Sequence, residues 1–257
     1  MAYPFTRYVT FIANSLPKLT AAWLNATQDA LAAAAYPAYG RLRVTAYSTD
    51  YANVYITLIE PYMALDSVTS QYVGMPAITN AGPINGFTIG QWNYIYLRVV
   101  NSIVTYAVST TAPEATLRYK TGDETYRYVC SVNYQVGIVQ PFHLSNGRYT
   151  LLQSVGFTGI TSPTWLGLNL NAWVPPTSRR VQLQVTNYSS GNYILCVRPT
   201  GTAATLTTGN TKHAVTGKAA YMEMMTNSLQ QVDYCSFGTS GTNSGGDVLV
   251  DGYTETE

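Results

Sequence analysis

The sequence predicts a mainly β protein: an N-terminal arm and one α-helix followed by two β-sandwich domains of jelly-roll type. Three observations lead there. From Gly40 onward, apolar and polar residues alternate in short runs at strand period. Turn-forming pairs such as Asn85-Gly86, Thr121-Gly122 and Asn146-Gly147 separate those runs. A single stretch near the N-terminus carries helical spacing instead. Short strands divided by turns at such intervals build a sandwich, because each sheet buries one face and needs a second layer to cover it.

The helix is expected over about residues 16 to 35. Tyr8 to Ile12 reads as an extended lead, and Asn14-Ser15-Leu16-Pro17 supplies a capping side chain followed by a proline tolerated in a first helical turn. Leu19, Ala22, Trp23, Ala26 and Ala30 then recur at three- and four-residue spacing, flanked by Leu16, Leu24 and Leu31. The alanines from Ala32 to Ala35 extend it until Tyr36-Pro37 ends it. Residues 1–39 thus form the first unit, with Trp23 as the main anchor. Phe11, Leu16, Leu19 and Trp23 are the candidate docking or oligomerisation surface; a helix packed within the first domain is the alternative.

The first β domain is assigned to residues 40–157. Leu42, Val44 and Ala46 alternate with Arg41, Arg43 and Thr45, and Val54, Ile56 and Leu58 alternate with Tyr55, Thr57 and Ile59. Asn93 to Val100, Ile103 to Val108, Tyr126 to Tyr134 and Tyr149 to Gly156 are the next strand candidates, with breakers at Asn80-Ala81-Gly82-Pro83 and Ala112-Pro113. A seam is expected at Gly156-Phe157-Thr158-Gly159. The second β domain, residues 158–257, carries strand candidates at Trp165 to Trp173, Arg180 to Tyr188, Asn192 to Arg198, Ala219 to Met225, Gln230 to Phe237 and Asp247 to Tyr253. Thr200 to Gly209 and Gly238 to Gly246 read as long turns.

Composition narrows the function. The 257 residues hold 14 basic and 13 acidic side chains, 11% against a usual share of about a quarter, alongside 22 tyrosines. Such a surface is uncharged and amphipathic, suited to contacts apolar in one place and wet in another, although strands also favour tyrosine. A net charge of +1, with basic residues scattered apart from Arg179-Arg180, gives no footprint for a phosphate backbone, so nucleic acid is not an expected partner. Neither a signal peptide nor an apolar run of membrane-spanning length is read from the chain, so secretion by that route and membrane insertion are not expected.

Chemistry has little to draw on. Cys130, Cys196 and Cys235 are odd in number and widely spaced, and are read as buried free thiols. His143 and His213 show no metal-binding spacing. Asp123-Glu124 reads as a solvated turn. Asp247 and Asp251 share one face of a strand, where they either hold a cation or blunt a sheet edge, the edge reading being preferred. No phosphate-cradling glycine motif stands between strand and helix. We therefore expect no catalytic residue, cofactor or metal, and a protein that is not an enzyme. Trp92 and Trp165 are candidate glycan-stacking residues, with burial in a sandwich core as the alternative.

Two stretches resemble a known family. Tyr8-Val9-Thr10-Phe11-Ile12-Ala13-Asn14-Ser15-Leu16-Pro17, followed by Leu19-Thr20-Ala21-Ala22-Trp23-Leu24-Asn25-Ala26-Thr27-Gln28-Asp29-Ala30, resembles the N-terminal arm and helix of tailed-bacteriophage fibre and virion-appendage proteins. Leu168-Asn169-Leu170-Asn171-Ala172-Trp173-Val174-Pro175-Pro176, Ala219 to Met224, Ser228 to Tyr234 and Val248 to Glu255 resemble, in that order, the terminal β-domain of such proteins. Tyr119 to Tyr128 with Val139 to Phe142 is similar to a strand pair in the same chains. These stretches cover about half of the sequence.

The resemblance implies a virion structural protein, made in the bacterial cytoplasm and frequently homotrimeric. The chain lacks a repetitive shaft and a heptad coiled coil, so a short appendage is expected rather than a long fibre. A short tail fibre or tail adaptor comes first, meeting tail, portal-adaptor or major capsid protein. A head-decoration or cement protein and a carbohydrate-binding receptor module facing host-surface glycan are the alternatives.

Overall fold

Alternation in the sequence becomes alternation in burial. The structure, a computed structural model, describes residues 44–58, 62–69, 72–75, 78–101, 103–114, 119–145, 147–202 and 211–255. In chain order the strands are β1 (Val44–Ser48), β2 (Val54–Leu58), β3 (Tyr62–Leu65), β4 (Tyr72–Met75), β5 (Ile78–Ile84), β6 (Gln91–Val100), β7 (Ile103–Ser109), β8 (Tyr119–Lys120) and β9 (Asp123–Tyr134). They continue as β10 (Phe142–Ser145), β11 (Arg148–Ile160), β12 (Leu166–Asn169), β13 (Ser178–Asn187), β14 (Ile194–Pro199), β15 (Lys212–Val215), β16 (Ala219–Met225), β17 (Gln231–Phe237) and β18 (Gly246–Glu255). In β2, Val54, Ile56 and Leu58 are buried and Tyr55 and Thr57 are not; in β13, Val181, Leu183 and Val185 point inward while Gln182 and Gln184 face outward.

The protein is mainly β, built from several antiparallel sheets. An eight-stranded sheet has the spatial order β16-β13-β18-β11-β10-β1-β2-β5; two four-stranded sheets run β7-β6-β9-β8 and β12-β17-β14-β15; β3 and β4 form a separate pair. Two-residue turns close several hairpins: Ser145 pairs with Arg148 across Asn146-Gly147, where Gly147 has φ +78°, and Lys120 pairs with Asp123 across Thr121-Gly122. One apolar cluster joins the three larger sheets, taking Ile56, Leu144, Val181 and Val250 from the eight-stranded sheet, Ile95, Leu97 and Val132 from β6 and β9, and Leu195, Val197 and Val232 from β14 and β17. A second cluster, Tyr94, Tyr96 and Tyr128, lies on β6 and β9.

The interior strand β18 has β11 on one side and β13 on the other, and both ladders are irregular near Asp251. Against β13 the register moves from Gln182↔Gly252 to Leu183↔Val250, so Asp251 is the extra residue of a bulge. The strands close tightly there: a Cβ on Gly252 would stand 2.2 Å from the Tyr149 carbonyl oxygen. Only glycine lets β11 and β18 approach this far.

Some expectations fall outside the described residues, and others meet a different structure. The helix and arm, with Phe11, Leu16, Leu19 and Trp23, lie outside the described residues. Asp247 and Asp251 do share a face, but β18 is interior to its sheet, so they protect no edge; Asp247 accepts hydrogen bonds from the Gly159 N–H and the Tyr188 hydroxyl, and Asp251 from the Ser154 hydroxyl. Asn80-Ala81-Gly82-Pro83, read as a breaker, lies inside β5, an edge strand that tolerates proline because one side of it needs no donor. The expected strand from Trp165 to Trp173 is cut short after Asn169, where the Trp173 and Val174 N–H groups both donate to the Leu170 carbonyl and close a turn. The seam at Gly156 to Gly159 falls within β11, and the eight-stranded sheet continues across it.

Candidate functional site

The sheets are locked together by a polar node inside the apolar core. Glu255, the last residue of β18, is fully buried, and its Oε1 accepts hydrogen bonds from the hydroxyls of Tyr128, Ser131 (2.6 Å) and Thr177 (3.0 Å). Ser131 also receives support through its backbone, whose N–H donates to the Tyr149 hydroxyl at 2.8 Å. Tyr149 in turn stacks on Tyr253 with ring centroids 4.3 Å apart. Burial, followed by the Glu255 carboxylate, pushes the Tyr149 and Tyr253 phenols well above their ordinary pKa, and the same two causes raise Tyr94. A carboxylate surrounded by hydroxyl donors satisfies its lone pairs at depth and fixes β9 against β18. The node is a structural lock: Glu255, Tyr128, Ser131, Tyr149 and Tyr253 are buried, and Thr177 is partly so.

The first exposed feature is an apolar tip. Three loops meet beyond the start of β2 and β6 and the end of β9: the Val139 N–H donates to the Tyr51 carbonyl at 2.8 Å, the Gly90 N–H to the Tyr134 carbonyl at 3.0 Å, and the rings of Phe87 and Tyr134 lie 5.6 Å apart. They present Tyr51, Ile89, Val136 and Ile138, which are 44%, 65%, 79% and 43% exposed. Isolated exposed apolar residues are ordinary, but a group gathered at one end marks a contact surface. The tip also has a direction. β1 is entered at Val44, which pairs with Leu58, and runs to Ser48 and the turn that carries Tyr51. Val44, at the start of β1, and the tip therefore sit at opposite ends of this strand.

The second exposed feature is a groove of about 260 Å³ on the outer face of the eight-stranded sheet, lined by Arg148, Gln182, Leu183, Tyr221, Met222, Glu223 and Asp251. Tyr221 is 73% exposed beside it, and Glu223 is held by the Arg180 guanidinium at 3.2 Å. Planar polar groups beside an exposed aromatic ring are the chemistry that recognises hydroxyl-rich ligands: forked donors and acceptors meet the hydroxyls, and the ring covers an apolar face.

The two tryptophans named from sequence are elsewhere. Trp92 is half-buried, its Nε1–H donating to the Asn171 carbonyl at 2.8 Å and its ring meeting Tyr253 edge to face. Trp165, also half-buried, has the Arg198 guanidinium 4.0 Å above its ring centroid and Phe237 at its edge. That guanidinium is held by Asp233 at 3.2 Å, whose other oxygen accepts from the Thr200 hydroxyl at 2.9 Å. The structure does not bring Trp92 and Trp165 together with the groove. Tyr221, the exposed ring beside it, was legible in the sequence only as one of the 22 tyrosines.

Cys130, Cys196 and Cys235 are buried thiols that form no disulfide. His143 is exposed on β10, away from the buried thiol of Cys130 on β9. Asp123 begins β9 and accepts from both the N–H and the hydroxyl of Thr125, which makes it a local turn cap. Among the described residues no three His, Cys, Asp or Glu side chains are grouped to hold a metal ion, and no helix is long and apolar enough to cross a membrane. Comparison with known proteins returns no matching family model and no matching curated sequence.

Proposed function

We propose that the chain is a non-enzymatic structural protein of a tailed-phage virion, a short tail fibre or tail-adaptor subunit attached through its N-terminal arm and helix. The observation that carries this reading is the course of β1, which starts at Val44, the described residue nearest in sequence to the expected arm and helix, and leads to a tip bearing Tyr51, Ile89, Val136 and Ile138. An anchor at one end and an uncharged contact surface at the other is what an appendage requires. The arm and helix supply the family resemblance, and the tip supplies the surface for a sister subunit or a neighbouring virion protein. In this reading the strands group as two jelly-roll-like sandwich modules that share the eight-stranded sheet, with β11 running from one into the other, and the chain assembles as a homotrimer on tail, portal-adaptor or capsid protein. Scarcity of charge favours such assembly, because a permanent contact then forms without desolvating many ions.

Cryo-microscopy of particles carrying a tagged copy tests the proposal. Tag density confined to the tail vertex supports it. Density repeated over the icosahedral lattice transfers the protein to head decoration, and no density on the particle rejects the virion role. A second reading, a host-glycan module, is favoured by the groove beside Tyr221. Glycan-array binding lost in Tyr221→Ala, with thermal stability unchanged, supports it; binding unaffected by that change removes the groove from consideration.

A further inference from the structure

Sequence spacing separates Cys196 from Cys235, but the sheet sets them side by side. In the antiparallel pairing of β14 with β17, Cys196 is directly opposite Cys235. Residues opposite each other share a face, and alternation turns this face away from the core, which takes the neighbours Leu195, Val197 and Tyr234. The register is pinned on both sides: Ile194 faces Phe237, and Arg198 faces Asp233, where the ion pair closes at 3.2 Å.

The hydrogen-bonding pattern fixes the kind of pairing. On β17 the Ser236 N–H points away from β14, donating to the Ser162 carbonyl at 2.7 Å, so the backbone groups of Cys235 point toward β14. Cys196 and Cys235 therefore form a hydrogen-bonded pair, a geometry with Cα atoms about 5.5 Å apart, inside the roughly 4.4–6.8 Å window of disulfides. Side chains diverge more at such a pair than at the alternating non-hydrogen-bonded one, so a bridge made here is strained and easily reduced.

We infer that Cys196 and Cys235 are a modification site, a dithiol that closes reversibly to a cross-strand disulfide by exchange with an oxidised small-molecule disulfide. One thiolate attacks a sulfur of oxidised glutathione, forming a mixed disulfide and releasing one glutathione thiolate. The second cysteine then attacks the protein-side sulfur of that mixed disulfide, the Cys196–Cys235 bond forms, and the second glutathione leaves. Two protein thiols are oxidised, one glutathione disulfide is reduced to two thiols, and the two protons pass to the released glutathiones. Burial pushes the thiols up, to about 12 for Cys196 and about 11 for Cys235, with Arg198 holding the latter lower. Exchange is therefore slow, limited by the small thiolate fraction and by opening of the sheet where the four-residue edge strand β15 lies against β14. Cys130 serves as an internal control, because it is buried on β9 opposite Ile95.

The test uses the unmodified folded chain. It is incubated with oxidised glutathione, then denatured, alkylated and examined by intact mass and peptide mapping, with near-ultraviolet circular dichroism followed throughout. The expected product keeps the folded spectrum, carries one alkyl group, on Cys130, and yields a linked peptide pair containing Cys196 and Cys235; dithiothreitol restores all three alkylatable thiols. Three alkylated thiols after prolonged incubation overturn the inference. So does a bridge that includes Cys130, stable glutathione adducts without a bridge, or a bridge that forms only in denaturant.

Discussion

Replacing Glu255 by alanine removes the acceptor shared by the buried hydroxyls of Tyr128 and Ser131 and the partly buried hydroxyl of Thr177. A hydrogen bond to a charged group contributes about 1.5–3 kcal/mol. The three bonds converge on a single oxygen, and two contacts survive the change: the Tyr128 and Ser131 hydroxyls remain 2.7 Å apart, and those of Ser131 and Thr177 remain 3.2 Å apart. The loss is therefore well below three full bonds, about 3–5 kcal/mol, the range for removing one member of a buried charged cluster. For a chain of this size that corresponds to a fall in melting temperature of about 10 °C. Glu255→Gln keeps an acceptor oxygen at the same place and costs about 1–2 kcal/mol. Equilibrium urea unfolding, compared at constant m-value, measures both. An alanine variant within about 0.5 kcal/mol of the parent would refute the assignment of Glu255 as a lock between β9 and β18.

Three further outcomes follow from the same structure. The Tyr94, Tyr149 and Tyr253 phenols hold their protons above the ordinary value, so their stabilisation is complete below about pH 10 and is lost as pH rises from there toward the folded-state values, at about 1.4 kcal/mol per unit for each phenol. Urea midpoints should fall steeply above about pH 10, with the raised Tyr106, Cys196 and Cys235 adding to the slope, and Tyr253→Phe should lower that slope by about 1.4 kcal/mol per unit; a flat profile would contradict the burial. Gly252→Ala places a Cβ 2.2 Å from the Tyr149 oxygen and should cost about 1–3 kcal/mol, whereas Gly167→Ala, whose nearest neighbour is the Asp233 Oδ1 at 3.9 Å, should cost less than about 1 kcal/mol; thermal melts compare the two. Asp233→Ala removes one partner of Arg198, in a pair whose side chains are only 14% and 12% exposed, and should cost about 2–4 kcal/mol in the same urea assay, with an unchanged midpoint speaking against the pair.

Period-two patterning made much of the fold readable. Val54, Ile56 and Leu58 announced β2, and Val181, Leu183 and Val185 announced β13, because one face of each strand is buried and the other is not. Where both faces are covered the signal weakens: β17 buries Val232 through Ser236 without a break, and its borders came from turns rather than alternation. Phe142-His143-Leu144-Ser145 is too short to register by pattern, although Asn146-Gly147 behind it already marked the hairpin. Partnerships were the least legible. The shared face of Asp247 and Asp251 is a local property and was read correctly, but the place of β18 in the middle of the sheet is not local, and the edge reading failed with it. The facing cysteines were hidden for the same reason, since register between β14 and β17 is set by packing and not by spacing along the chain. Tyr221 carries no local mark at all; only its position on β16 over an outward-facing groove distinguishes it.

The placement of β18 also sets the order in which the protein is built during synthesis. β16 and β13 lie on one side of this strand, and β11, β10, β1, β2 and β5 lie on the other, with no direct ladder between the two groups. Both groups leave the ribosome before residues 246–255 exist outside it, and until then each exposes a sticky inner margin at β13 or β11. A pause, a nonsense codon or proteolysis upstream of Gly246 therefore yields two half-sheets with open margins rather than a slightly shortened product. Such fragments should aggregate or draw in chaperones.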